Sequence, residues 1–254
     1  MKKLSIILSA ILLLSVSLCA DPKGEEIARK NSNLPESKDS YSISVMTLIN
    51  SRGEKKIRRL KSYSKDGKDG RNSFVEFLEP ADVKGTRFLT IGHDVGDDEQ
   101  RLYLPALGKV RRISSSKKGG SFMGSDLNYF DMEDHGYDDF TYRYVKDEVY
   151  SGMDCYVIEM YPKDENAPYS KQIAWISKEN FFSYKIECYS KKSGSPLMKI
   201  IVFLDVKNYS GVLIPGKIVV DHKLDNHKTL MQTLEQKVNV GISDSIFTVQ
   251  NLQK

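Results

Sequence analysis

The chain has 254 residues, of which 28% are charged, and a formal net charge of +4. A charge this close to balance argues against a dedicated nucleic-acid binder, which usually presents a strongly basic face. Beyond the first twenty residues, no segment is apolar for the roughly 20 residues that a membrane-spanning helix needs. For a chain rich in strands, this length fits a single domain.

The first twenty residues are arranged like a secretory signal peptide. Two lysines precede an apolar run from Leu4 to Leu14, and a short stretch of small and polar residues leads to Ala20. This order is typical of an exported protein. We therefore predict a signal peptide over residues 1–20 and a single domain over residues 21–254. Residues 1–20 contain two lysines and no acids, so the net charge of that domain falls to +2.

Two cleavage sites fit this signal peptide. Cleavage after Ala20 would release a soluble periplasmic protein that begins at Asp21, whereas cleavage before Cys19 would leave a lipid-anchored one. Leu18 is bulky at a position where a lipobox usually has Gly, Ala or Ser. We favour the soluble periplasmic form, and a lipid anchor at Cys19 is the alternative.

The domain is predicted to begin with one short helix and a strand. Residues 25–30 carry acids first and bases last, which suits a helix dipole, and Pro35 would end the helix after Leu34. From Tyr41 to Ile49, apolar and polar residues alternate as in a half-buried strand, and a hairpin is predicted at Asn50–Gly53.

The same two-residue period continues along most of the chain. Short strands separated by regular turn signals predict an antiparallel sandwich or barrel. One strand, around residues 200–204, is apolar on both faces, so something must cover or bind its second face. The predicted strands are 74–78, 87–91, 100–104, 110–113, 140–149, 155–161, 172–177, 184–189, 199–206 and 217–222.

Two segments depart from this period. Residues 121–139 contain glycines and spaced aromatic residues and fit no strand, so we predict short helices or a structured loop. Residues 229–240 fit either a helical stripe or a strand face. We favour the strand because the segment ends in Val-Asn-Val-Gly and its neighbours are strands.

No motif for catalysis, metal or cofactor binding emerges. The glycine-rich stretch 119–124 lacks the Gly-Lys-Ser/Thr ending of a phosphate-binding loop. The acidic turns at 94–99 and 131–139 lack the ligand spacing of an EF-hand, and no histidine has a second ligand at a zinc-site spacing. We therefore predict a protein that is not an enzyme and uses no cofactor.

Cys155 and Cys188 are the cysteines outside the signal peptide, and both lie in predicted strands. In an oxidising compartment they could form a disulfide, or they could be two buried and unpaired thiols. The separation of their Cα atoms decides between these, and the sequence does not supply it.

Several motifs resemble those of the LolA-like outer-membrane lipoprotein-sorting family. The resemblance covers nearly all of residues 21–254 in order, and the branch it points to is often found beside exporter-type membrane pumps. The motifs are Lys-Gly-Thr-Arg-Phe-Leu at 84–89, Arg-Leu-Tyr-Leu-Pro at 101–105, Lys-Val-Arg-Arg-Ile at 109–113, Gly-Ser-Phe-Met-Gly-Ser-Asp at 120–126, Cys-Tyr-Val-Ile-Glu at 155–159, Trp-Ile at 175–176, Lys-Ile-Glu at 185–187 and Ile-Ser-Asp-Ser-Ile-Phe-Thr at 242–248.

This resemblance implies a mostly β fold: a strongly curved, incompletely closed antiparallel β-barrel or half-barrel with short α-helices across an apolar cavity. It also implies a periplasmic carrier of lipid or of lipoprotein acyl chains, with an inner-membrane exporter-type transporter as a partner. Segments 22–34 and 121–139 would then act as lids. A non-enzymatic binding or sensor module that acts with a membrane transporter is the alternative.

Eight residues are candidates for the site. Some carriers of the family hold and release cargo with an arginine in the cavity, and Arg87 is the candidate for that role. An exposed edge residue is the other interpretation of Arg87. Alternation and apolarity select the candidate lipid-binding residues, for each of which ordinary core packing is the alternative: Leu102, Leu104, Phe122, Met123, Ile158, Ile186 and Leu204.

Overall fold

A computed structural model describes residues 21–254, so the predicted signal peptide and the possible anchor at Cys19 lie outside the described residues. Strands dominate this part of the chain and all pair antiparallel. The strands are β1 (Asp39–Ile49), β2 (Lys55–Asp66), β3 (Arg71–Glu79), β4 (Arg87–Ile91), β5 (Glu99–Leu104), β6 (Lys109–Arg112), β7 (Phe140–Tyr150), β8 (Met153–Pro162), β9 (Tyr169–Ser177), β10 (Ser183–Ser190), β11 (Leu197–Tyr209), β12 (Val212–His222) and β13 (His227–Val238).

Helices are few and short. The α-helices are α1 (Pro22–Ser32) and α2 (Val249–Leu252), and the 3-10 helices are Pro105–Leu107, Ser115–Lys117, Phe130–Met132, Tyr137–Asp139 and Asp244–Ile246. Within residues 21–254, no helix has the length and apolarity needed to cross a bilayer.

The thirteen strands form one sheet in the order β6-β5-β4-β3-β2-β1-β13-β12-β11-β10-β9-β8-β7. Strands β6 and β7 lie at its two ends and do not pair with each other, so the sheet does not close into a barrel. The segment that joins them runs across the concave face and touches both halves of the sheet. Gln100 on β5 donates to the Tyr129 carbonyl, and Tyr169 on β9 donates to Asp131. The predicted half-barrel is thereby confirmed.

Alternation along the strands gives the sheet two buried faces near β4. Phe88 packs on the concave side, whereas Leu89 packs on the convex side against the C-terminal segment. Phe247 and Leu252 of that segment are buried there. The C-terminal residues therefore cover the convex face of β3–β5.

Two apolar clusters occupy the concave face. One joins α1 to β7–β12, and we call this part of the concave face the hollow half. The other joins β1–β5 to Phe122, and we call it the filled half. The side chain of Phe122 fills this second half. Its ring centroid lies 6.0 Å from that of Phe77 and 5.0 Å from that of Phe88.

Most of the predicted elements are confirmed. The helix appears as α1, the ambiguous segment 229–240 forms β13, and residues 121–139 form loops and 3-10 helices. The strands predicted from the sequence do not include β2, whose sequence is dominated by lysine, arginine and serine. Strand β2 forms because it pairs along its length with β1 and along most of it with β3.

Candidate functional site

A cavity of about 710 Å³ lies in the hollow half between α1 and the sheet. Its walls come from α1 and the segment that follows it, from β7–β12, from residues 134–137, and from single residues of β1, β3 and β13. They are mainly apolar, and the apolar lining includes Ala28, Phe140, Tyr142, Ile158, Met160, Ile186 and Phe203.

The sequence fixes α1 firmly over this cavity. Asp21 caps the helix by accepting hydrogen bonds from the amides of Lys23 and Gly24, at 3.1 and 3.3 Å. Its second carboxylate oxygen accepts from the amide of Tyr144 on β7 at 2.7 Å. A side chain at Gly24 would place its Cβ 2.7 Å from that same amide nitrogen, so only glycine allows the helix to approach β7 this closely.

An arginine does line the cavity, but it is Arg71. Its guanidinium donates to the Ser37 carbonyl at 2.8 Å and forms ion pairs with Asp66 and, at 3.4 Å, with Glu36. These contacts tie the segment after α1 to the start of β3. Arg71 follows a glycine turn and carries no signal in the sequence that marks it as a cavity residue.

The segment between β6 and β7 is held by two buried lysines. Lys118 is only 4% exposed, and its ammonium contacts three carboxylates: Asp97 at 2.7 Å, Asp164 at 3.0 Å and Glu133 at 3.1 Å. Burial raises the pKa of Glu133 to about 7, although Lys118 acts in the opposite direction. One cation thus faces three acids, and burial favours the protonated form of Glu133.

The second buried lysine, Lys199 on β11, forms an ion pair with Asp131 and donates to the Asp126 carbonyl at 2.9 Å. Asp126 in turn accepts hydrogen bonds from Thr229 at 2.7 Å and from His227 at 2.9 Å. Each buried charge is therefore paired, as burial requires. Within residues 21–254, no group of three metal-ligating side chains is arranged to hold an ion.

Of the seven candidate lipid-binding residues, the structure brings two to the cavity. Ile158 and Ile186 lie on its wall. Leu204 is 42% exposed and does not line it. The other four lie in the filled half: Leu102 and Phe122 are buried there, and Leu104 and Met123 pack against them.

Arg87 lies on the opposite side of the sheet from Phe88. Its guanidinium donates to Glu76 at 3.1 Å and to the Leu252 carbonyl at 3.2 Å, so its contacts are with β3 and the C-terminal segment. Since Phe88 packs on the concave side, Arg87 points away from the cavity. A role for Arg87 in cargo release stays a prediction, and the structure offers no path for direct contact.

Sequence patterns could have identified some of the cavity residues that we did not predict. Met160 follows Ile158 by two positions and shares its strand face, so the alternation that selected Ile158 also selects Met160. Phe203 lies on the face opposite to Leu204, in a run that is apolar on both faces and so does not show which face is inward. Ala28 gives no signal, because a small helical residue is equally common at any packed surface.

Cys155 and Cys188 are both buried and unpaired. Strand β9 lies between their strands, and Cys155 pairs across it with Ser177 whereas Cys188 pairs with Gln172. Neighbouring strands are about 4.8 Å apart, and the two positions on β9 are five residues apart, so the thiols are too distant to bridge. Burial raises the pKa of the Cys188 thiol to about 12, which keeps it protonated.

An open antiparallel half-barrel with a helix over an apolar cavity is the architecture that the resemblance to LolA-like proteins implies, and comparison with solved structures agrees. A LolA superfamily protein from Nitrosomonas europaea superposes with a TM-score of 0.70 at 21% identity, over 90% of this chain and 98% of that one. At this identity the likeness establishes the fold.

Two solved structures are more similar in sequence. A domain from Vibrio parahaemolyticus named for outer-membrane lipoprotein sorting shares 32% identity, with a TM-score of 0.87 over 91% of this chain and 99% of that one. A DUF1329 family protein from Desulfovibrio piger shares 34% identity, with a TM-score of 0.85 over 91% of this chain and 98% of that one. The chain belongs to this LolA-like outer-membrane lipoprotein-sorting family.

A family model described as "uncharacterized protein" matches residues 69–254. No curated protein sequence shows significant similarity to the chain.

Proposed function

We propose that the protein is a periplasmic carrier that binds lipid, or the acyl chains of lipoproteins, in the cavity beneath α1. It would transfer them between envelope membranes, with an exporter-type membrane transporter as a partner. In this proposal the protein works by binding and release, without catalysis. The observation that carries the proposal is a largely apolar cavity of about 710 Å³ in a fold of the LolA-like class.

The size and the walls of the cavity both support hydrocarbon as cargo. Its volume falls within the roughly 300–1,000 Å³ that small-molecule sites occupy. Each methylene withdrawn from water contributes about 0.8 kcal/mol, so one long acyl chain gains on the order of 10 kcal/mol. Hydrophobic burial alone can therefore retain a lipid. Release then requires an acceptor that offers a comparably dry environment.

The rim provides a polar border to this cavity. Arg71, Glu36 and Asp134 line the cavity near α1, where a polar headgroup would meet charged side chains rather than the apolar wall. Charged groups at a rim fix the orientation of a ligand more than they add affinity. A lipid with its acyl chains inward and its headgroup at the rim fits this distribution.

Mass spectrometry of the protein purified from envelope extracts tests the proposal. We expect lipid or acylated peptide to co-purify in near-stoichiometric amount, and the loaded protein to transfer a fluorescent phospholipid between vesicles faster than it transfers spontaneously. A protein that carries no lipid, transfers none and is recovered in a stable complex with a membrane transporter would contradict the carrier function and favour a sensor module.

A further inference from the structure

The sheet splits where it borders the cavity. Strand β12 pairs with β13 only from Lys217 to His222, and its first residues, 212–215, pair with β11 alone. On the other side of the split, Thr233 and residues 235–238 of β13 pair with β1 alone, and Leu234 between them bulges out of the ladder. Within residues 21–254, neither stretch has a second strand as a neighbour. A gap in the wall therefore lies between two free strand edges.

Local backbone features keep this gap open. Asp205 on β11 has a positive φ of 53° and no partner in the ladder, which marks a bulge in the β11–β12 hairpin. Opposite it, a Cβ at Gly216 would lie 3.1 Å from the Asp205 carbonyl oxygen, so glycine permits the two strands to bend there. Pro215 comes just before Gly216 and has no N–H to offer a neighbouring strand. The hairpin tip thus diverges from β13.

The gap opens onto the cavity. Residues 212–215 line the cavity from one edge of the gap, and Gln236 lines it from the other. Leu234, the bulged residue of the β1–β13 ladder, is 56% exposed. The cavity therefore borders both free edges.

The chemistry of the edges selects what fits between them. A free strand edge presents a row of N–H and C=O groups that form hydrogen bonds with water. A hydrocarbon chain lying along that edge would displace the water without replacing the hydrogen bonds, which costs free energy for each unpaired group. An extended polypeptide replaces them. We propose that residues 233–238 of β13 bind an extended peptide segment by strand addition, and that this segment is the polypeptide attached to the acyl chains in the cavity.

This inference rests on the proposed function and narrows it from lipid in general to lipid-modified protein. The edge of β13 is the better acceptor of the two, because β12 has Pro215 in its free stretch. Alternate residues of β13 face opposite ways: Gln236 faces the cavity, whereas Glu235 and Lys237 form an ion pair at 2.7 Å outside it. The bound segment should therefore alternate apolar residues toward the cavity with polar residues toward solvent.

Tethering makes such a short strand effective. A few strand hydrogen bonds contribute little affinity by themselves, since each is worth about 1 kcal/mol net. Acyl chains already in the cavity hold the peptide close to the edge, which converts its binding into an intramolecular step. The wall gap would then give lipid-modified protein an advantage over free lipid.

Three probes with identical acyl chains test this inference on the unaltered protein. The first is a dipalmitoylglyceryl cysteine that carries a short peptide of alternating serine and valine. The second has the same peptide with N-methyl groups on its backbone, which removes the donors, and the third has no peptide. We expect the first to bind at least about tenfold more tightly than the other two. Hydrogen exchange should slow at residues 233–238 only with the first probe.

The outcomes separate this inference from the carrier function. Equal binding of all three probes, with unchanged exchange at 233–238, would overturn strand addition and leave the carrier function standing. Slowed exchange at 212–215 in place of 233–238 would overturn the assignment to β13. If none of the three probes binds, both the carrier function and the strand addition fail.

Discussion

The two halves of the concave face are built from the same kind of strand but treat their apolar residues differently. In the filled half, the loop between β6 and β7 inserts Phe122, which is 1% exposed, among aromatic rings of β3 and β4. In the hollow half, α1 packs against β7 and β8 and leaves a cavity of about 710 Å³ beside it. An apolar strand face therefore predicts burial, and the covering element decides whether it becomes core or a binding site.

The largest expected effect is a difference in stability between a variant of the filled half and a variant of the hollow half. Phe122→Ala should lower the free energy of unfolding by about 3–5 kcal/mol, because it leaves a void among closely packed rings. Phe203→Ala, which removes a ring from the cavity wall, should cost less, about 1–2 kcal/mol, since that ring is already partly uncovered. Urea unfolding measures both. Equal losses would show that the hollow half is packed as tightly as the filled half.

Ligand binding should be sensitive to substitutions on the cavity wall of the hollow half. Ile186→Trp adds volume on the cavity wall and should weaken binding of a fluorescent fatty acid by at least about tenfold, or 1.4 kcal/mol. Leu204→Trp is the matched control, since Leu204 lies outside the cavity and is exposed. Its affinity should match that of the unaltered protein. Undiminished binding by the Ile186 variant would place the ligand elsewhere.

A smaller effect is expected from the loop that separates the halves. Burial raises the pKa of Glu133 to about 7, above the roughly 4.3 of an unfolded chain. Folding therefore favours the protonated form, and its stabilising contribution is complete below about pH 4 and is lost as the pH rises through about 7. Glu133→Gln should remove this dependence, so that the variant gains stability relative to the unaltered protein as the pH rises.

Urea midpoints at about pH 5 and pH 8 measure this difference, on either side of the raised pKa. Glu54→Gln serves as the control, because Glu54 is exposed and lies in the β1–β2 hairpin. A Glu133 variant that follows the same pH dependence as the control would contradict the assignment of the titration to Glu133.

The smallest expected effect concerns Arg87. Its contacts with Glu76 and the Leu252 carbonyl lie on the convex side, so Arg87→Gln should change the rate of lipid transfer between vesicles by less than about twofold. Arg71→Gln is the comparison, because Arg71 lines the cavity. Slower transfer by the Arg87 variant than by the Arg71 variant would support the predicted role of Arg87 in release.

Sequence patterns were sufficient for the fold. Alternation and apolarity also selected Ile158 and Ile186, which the structure places on the cavity wall. They could not distinguish Ile158 from Phe122, because both are apolar residues that the fold buries. That distinction depends on where the β6–β7 loop crosses the sheet, which is set by long-range contacts of Lys118 and Lys199 with carboxylates.

Charged residues were harder to place for a similar reason. Arg87 and Arg71 both lie at or near the start of short strands, and nothing in the local sequence shows which of them faces inward. The difference arises from what covers each side of the sheet. The C-terminal segment covers the convex side near Arg87, and the segment after α1 covers the cavity beside Arg71.

The most direct test of a lipid-filled hollow half is an NMR measurement of contacts between isoleucine methyl groups and bound acyl chains. We predict intermolecular NOEs from the methyl groups of Ile158, Ile186 and Ile214, which line the cavity, and none from Ile57, which is exposed on β2. Contacts confined to Ile57 and other exposed methyl groups would contradict the account, because the lipid would then lie on the outer surface.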